Sequence, residues 1–154
     1  MPDIFIITSV IHTGTNPWSY THKRSLFSPK ERYEQTLDSI VSVRTHCPGA
    51  RVFLVEGSQL STEERAGFLA VCDELVDVST DPLTEKYCIQ SGKKGLGDAW
   101  LYLQGLKRIG ACDGVLFKLS GRYRLNKEFR RSAISADVPT FCRFASDGYV
   151  TFCF

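Results

Sequence analysis

The 154-residue chain predicts an α/β domain with a mainly parallel central sheet flanked by helices, and three observations carry that reading. "DIFIITSVI" (3–11) and "RVFLVEG" (51–57) are continuous apolar runs, as expected of strands covered on both faces. A long helical stretch with strong start and stop signals separates them. "GVLFKLS" (114–120) then follows the helical stretch at about 96–109 and repeats the strand–helix alternation.

Taken in order, the first strand leads into a polar loop from His12 to Phe27, long enough to suggest function. Ser28, Pro29 and Glu31 predict a capped helix start, with Ser28 as N-cap, Pro29 in the first helical position and Glu31 closing a capping box. Tyr33, Leu37, Ile40, Val41 and Arg44 keep helical spacing until Pro48-Gly49. After the strand at 51–57, Ser61 and Glu64 form a second capping box, for a helix reaching about Val71. "ELVDVS" (74–79) reads as a short, edge-type strand. A polar loop over 80–94 leads to a helix from about Leu96 to Ile109, and then to the strand at 114–120. Residues 126–135 look weakly helical. "TFCRF" and "YVTFCF" alternate around Ser146-Asp147-Gly148, which predicts a C-terminal antiparallel hairpin.

Length fits one domain, 1–154. With 43% apolar and 23% charged residues the composition is that of a globular protein. A net charge of +2 gives little ground for whole-surface binding to nucleic acid or membrane, and no apolar run is long enough for an integral membrane segment. Met1-Pro2-Asp3 lacks the basic region of a signal peptide. The six cysteines form no CxxC pair and no Asn-x-Ser/Thr sequon occurs, so the expectation is reduced thiols and a cytoplasmic location.

Several common catalytic motifs are missing. There is no GxxxxGK[ST], no GxGxxG after the first strand and no GxSxG. His12, His22 and His46 show no HExxH spacing and read as loop or helix-surface residues.

In open parallel sheets, ligands bind beyond the carboxyl ends of the strands. Those ends carry groups suited to a nucleoside diphosphate. Thr8 and Ser9 offer hydroxyls and amides, although they equally suit a plain strand end. Glu56 offers a carboxylate that could accept from ribose or base. Lys93 and Lys94 precede a helix start with Gly95, Gly97 and Asp98, a sensible place for an anion. From Lys118 to Arg131 lie Lys118, Arg122, Arg124, Lys127, Arg130 and Arg131, opposed by Glu128 alone. Guanidinium forks match phosphate geometry. Gly121 is expected to allow a tight turn or positive φ, and Tyr123 to stack on or bond a ligand.

The ordered set "FIITSVI", "THKRSLFSPKERYEQTLDSI", "VFLVEGS", "SGKKGLGDA" and "LFKLSGRYRLN" resembles a group of GT-A-like glycosyltransferases found in large DNA viruses and bacterial surface-glycan clusters. Arg24-Ser25, Glu31-Arg32 with Gln35-Thr36, and Lys118-x-Ser120-Gly121-Arg122-Tyr123 are its most distinctive pieces, and it spans roughly residues 4 to 126. The resemblance implies a Rossmann-like, GT-A type domain that binds a nucleotide-diphosphate sugar. Thr8, Ser9 and Glu56 would address the nucleoside, and Arg24 belongs to the same donor-binding set. Lys93 and the helix start at Asp98 would lie near the diphosphate or sugar. Ser120, Gly121, Arg122 and Tyr123 would stand where many such enzymes carry Asp-x-Asp.

Two departures from that family matter. Without Asp-x-Asp a divalent metal (Mn or Mg) has no evident holder, so cations would meet the leaving diphosphate, unless Asp98 or Asp113 recruits a metal. The chain is also shorter than usual on the C-terminal, acceptor side, as a truncated domain or a donor-binding half would be. The expected activity is sugar transfer from a nucleotide-diphosphate donor to a glycan or other hydroxyl acceptor. The catalytic base is not identified. The alternative is a non-catalytic nucleotide- or nucleotide-sugar-binding module that keeps the donor half. An RNA-binding role for 118–131 is disfavoured, because no aromatic strand platform accompanies the charge.

Overall fold

A computed structural model describes residues 2–111, 113–135, 137, 141–143 and 150–152. Strands β1 (Ile4–Ser9), β2 (Arg51–Glu56), β3 (Glu74–Asp77) and β4 (Leu116–Ser120) form one all-parallel sheet in the order β3-β2-β1-β4. The helices are α1 (Pro29–His46), α2 (Thr62–Leu69), α3 (Pro82–Thr84) and α4 (Lys94–Ile109). This is a Rossmann-like α/β arrangement, as the alternation predicts.

The two helices on the α1 face start where the sequence says they should. Ser28 Oγ accepts from the Glu31 amide at the head of α1, and the Glu31 carboxylate accepts from the Ser28 amide at 2.7 Å. Ser61 and Glu64 do the same for α2. Each box satisfies amides that no helical carbonyl can reach.

Side-chain alternation divides the core between the two faces of the sheet. Phe5, Ile7, Val52, Leu54, Phe117 and Leu119 point to one face, where Ile40 and Val43 of α1 and Phe68 of α2 cover them. Phe5 and Phe117 stack there across β1 and β4, with ring centroids 4.4 Å apart. Ile6 and Val55 point to the other face, against Cys88 and Leu101. Gly105 lets α4 lie close on that face, since a Cβ there would stand 2.8 Å from Ile6 Cγ2. Cys47, Cys72 and Cys88 are free and buried, so they pack as small apolar groups.

The chain steps outward from β1 to β2 to β3 through α1 and α2. It then returns across the opposite face through α4, and adds β4 on the far side of β1. The order therefore reverses at β1, and a crevice opens between the carboxyl ends of β1 and β4.

Four expectations change. Residues 80–94 are not a plain loop: α3 runs directly into a π-helical segment, Glu85–Gln90. Segment 126–135 holds only a 3-10 turn, Arg131–Ala133. Gly121 stands in a tight turn, one of its two expected roles, but without a positive φ, which among the described residues Gly110 alone has. The basic stretch 118–131 is not one cluster. Arg131 pairs with Asp3 at the amino end of β1, and Leu125 N bonds Ser42 Oγ on α1 at 2.9 Å. At the C-terminus, β5 (Phe141–Arg143) pairs antiparallel with β6 (Val150–Phe152). The turn at Ser146-Asp147-Gly148 lies outside the described residues. No described helix is long and apolar enough to cross a membrane.

Candidate anion-binding site

The crevice at the β1/β4 strand ends is a cavity of about 250 Å³. Thr8 and Ser9 line it from β1, and Ser120, Gly121 and Arg122 from the end of β4. Arg32 and Thr36 enter from α1, and Lys94, Gly97 and Asp98 from the head of α4. The long loop after β1 supplies the outer wall with Thr13, Trp18, Tyr20, Lys23, Arg24, Leu26 and Phe27.

Strand ends and helix meet without slack. Gly121 N donates to Thr8 O at 2.9 Å, and Thr36 Oγ1 donates to Gly121 O at 3.1 Å. A Cβ on Gly121 would stand 2.7 Å from that hydroxyl oxygen, so close approach is what requires glycine here. Ser9 Oγ lies 3.2 Å from Thr36 Oγ1. Asp98 joins both strands to α4: its Oδ1 accepts from Thr8 Oγ1 at 2.7 Å and its Oδ2 from Lys118 Nζ at 2.5 Å.

Charge in the cavity is one-sided. Lys23, Arg24, Arg32, Lys94 and Arg122 line it, against a single carboxylate among the described residues, Asp98. Arg32 is anchored by Nε to Val10 O at 2.7 Å, and its pKa is pushed down to about 10. Burial is the main cause; Arg122 and Arg24 add repulsion, which Glu56 partly offsets. Burial also lowers Lys94, with Arg122, Lys118 and Arg32 pushing the same way and Asp98 opposing. Cations standing together at the strand ends make the crevice a candidate site for an anion. The head of α4 adds to this, because Lys93 gives its first amides no side-chain cap.

Arg24 serves the architecture. It is 6% exposed; Nη1 donates to Asn16 O and Ser91 O, and Nη2 to Cys88 O at 2.5 Å. Its guanidinium lies 4.0 Å from the centroid of Trp18, whose Nε1 donates back to Arg24 O. The loop wall is thus tied to the π-helical segment.

Of the residues singled out in the sequence, Thr8, Ser9, Arg24, Asp98, Ser120, Gly121 and Arg122 come together around one cavity. Glu56, Lys93 and Tyr123 do not line it. Glu56 is wholly buried, and its Oε1 accepts from Ile11 N, Ser58 N and Ser58 Oγ. Burial raises its pKa against those bonds. Lys93 and Lys94 are both exposed, and of the two Lys94 lines the cavity. Tyr123 N donates to Ser120 O, closing the turn after β4. His12 meets Glu64 at the surface, as expected of a loop histidine.

Arg32 and Lys23 are cavity cations that strand-end reasoning misses, because one comes from a helix and the other from the loop after β1. The sequence signal at Arg32 is the helix signature Glu31-Arg32 with Gln35-Thr36, which the family resemblance marks out and a reading of strand ends passes over.

The cavity's donor set does not fit a divalent metal. Its one carboxylate is held by a hydroxyl and an ammonium, and among the described residues no three His, Cys, Asp or Glu side chains form a metal-holding group. Asp113 does not line it. Cys88 lines the wall, but burial chiefly, with the Glu56 charge, pushes its thiol up to about 12, so it is no nucleophile at neutral pH.

Comparison with protein-family models, curated proteins and solved structures finds no match to this chain.

Proposed function

We propose that the cavity binds a nucleotide-diphosphate sugar, and that the protein is a glycosyltransferase of GT-A-like type acting on a hydroxyl acceptor. One observation carries the reading: Arg32, Lys94 and Arg122 converge, with little opposing charge, at the point where a parallel sheet reverses its strand order. A diphosphate suits that charge, and the hydroxyls of Thr8, Ser9 and Ser120 suit the polyhydroxylated parts of the same ligand.

In transfer, the acceptor hydroxyl oxygen attacks the anomeric carbon, the bond from that carbon to the diphosphate oxygen breaks, and the acceptor's proton passes to water or to the released diphosphate. The charge left on the diphosphate meets Arg122, Arg32, Lys94 and the head of α4. Asp98, held by Thr8 and Lys118, offers its remaining lone pairs to sugar hydroxyls.

A second reading is favoured by the same Asp98. Both oxygens of Asp98 are already engaged, one by the Thr8 hydroxyl and one by the Lys118 ammonium, and a donor-binding module without turnover needs no base.

Thermal-shift screening against uridine, guanosine, cytidine and thymidine diphosphates and their sugars, with and without manganese, tests binding. Release of nucleoside diphosphate in the presence of a hydroxyl acceptor then separates the two readings. Binding without turnover assigns the module, and no binding to any of them overturns both.

A further inference from the structure

The mouth of the cavity has a second character. Tyr20, Leu26 and Phe27 line its outer wall, and they stand 64%, 84% and 39% exposed. One exposed apolar side chain needs no explanation, but three on a single lip do. The loop that carries them is braced. Ser19 N donates to Gly92 O at 2.9 Å, and the Arg24 guanidinium is hooked onto Cys88 O and Ser91 O. Leu26 stands at the tip of a tight turn, where Ser25 Oγ donates to Phe27 O and accepts from Phe27 N. A braced loop presents its apolar tip with little further ordering needed on contact.

Behind this lip stand Lys23, Lys94 and Arg122, and among the described residues Asp98 is the only acid that lines the same cavity. Protruding apolar groups backed by cations match a bilayer surface, where the former enter the acyl boundary and the latter meet lipid phosphates. The chain's net charge of +2 is too small to draw the whole molecule to such a surface, so the attraction would be confined to this mouth.

We propose that the Tyr20, Leu26 and Phe27 lip docks the protein on the surface of an anionic lipid bilayer, with the cavity mouth facing the headgroups. Attachment is peripheral and reversible, and a membrane-borne molecule reaches the cavity without crossing bulk water. The proposal does not depend on what the cavity binds.

Co-sedimentation with vesicles tests it, using phosphatidylcholine alone and phosphatidylcholine mixed with phosphatidylglycerol, with no nucleotide present. The wild-type protein is expected to sediment with the mixed vesicles, to leave neutral ones largely unbound, and to be partly released by added salt. Leu26→Glu and, independently, Tyr20→Ser should each weaken partition, Leu26→Glu by about tenfold or more. Both side chains are largely exposed, so melting temperatures should stay near wild type. No binding to mixed vesicles overturns the proposal, as does binding that neither substitution weakens. A wild-type dimer in light scattering that Leu26→Glu dissociates would assign the lip to a second copy instead, and also overturn it.

Discussion

The Lys118 ammonium lies 2.5 Å from Asp98 Oδ2, and this contact joins the last parallel strand to the helix that returns across the sheet. The lysine side chain is 11% exposed and the aspartate 41%. Removing the acid leaves a nearly buried ammonium without its counter-charge, while removing the lysine leaves a carboxylate that water can still reach. Asp98→Ala is therefore expected to cost about 1–3 kcal/mol of stability, a range that allows for solvent screening on the exposed side of the pair. Lys118→Met should cost less. Urea denaturation of both variants and their double checks the asymmetry.

Gly121→Ala should destabilise by about 1–3 kcal/mol, because the added methyl meets Thr36 Oγ1 within a packed strand-end junction. The same substitution in a Thr36→Ala background should cost distinctly less. A double-mutant cycle with no coupling would mean that the two residues do not share the space assigned to them.

The parallel strands and their carboxyl ends are legible in the sequence because continuous apolar runs mark doubly covered strands, and a parallel sheet fixes which end gathers ligands. Thr8, Ser9, Ser120, Gly121 and Arg122 accordingly line one cavity. Side-chain direction is another matter. Glu56 also ends a strand, but the backbone amides of Ile11 and Ser58 turn its carboxylate inward. Lys93 and Lys94 are equivalent in a sequence, and only the first turn of α4 decides which one faces the crevice. Segment 80–94 reads as a loop because its polar residues show no helical stripe. Its π-helical turn depends on tertiary contacts, with Cys88 packed beneath Gly97 and Arg24 accepted by Cys88 O and Ser91 O.

Arg24 ties three backbone carbonyls to one planar group, a task a lysine ammonium cannot match in direction. Arg24→Ala is expected to cost about 2–3 kcal/mol. Arg24→Lys should recover only part of it. Amide exchange should quicken in 16–26 and 85–91 before the rest of the sheet is affected. Uniform loss of protection would contradict a local tie.

Glu56 gives a pH signature. Its folded pKa is raised by burial above the ordinary carboxylate value, so between the two values the folded state holds a proton that the unfolded state has lost. Its contribution is fully present below the unfolded pKa, about 4.5, and is lost as pH rises through the folded pKa. Glu56→Gln removes that dependence and still accepts from the Ile11 and Ser58 amides. Relative to wild type, the variant should thus gain stability as pH rises from 4 toward neutrality (roughly the window in which acid-linked stability changes). Parallel curves in urea melts across that range would contradict the assignment.

The central claim is that Arg32, Lys94 and Arg122 form one site for a diphosphate. Isothermal titration of nucleoside diphosphates and their sugars into wild type, Arg32→Ala and Arg122→Ala tests it most directly. Wild type should bind at least one of them, with affinity that falls as salt is raised. Each variant should remain folded and bind at least about tenfold more weakly, the loss expected for a charge-assisted contact. Wild-type affinity retained in both variants would contradict the claim, because the cations would then be standing at a surface that no diphosphate uses.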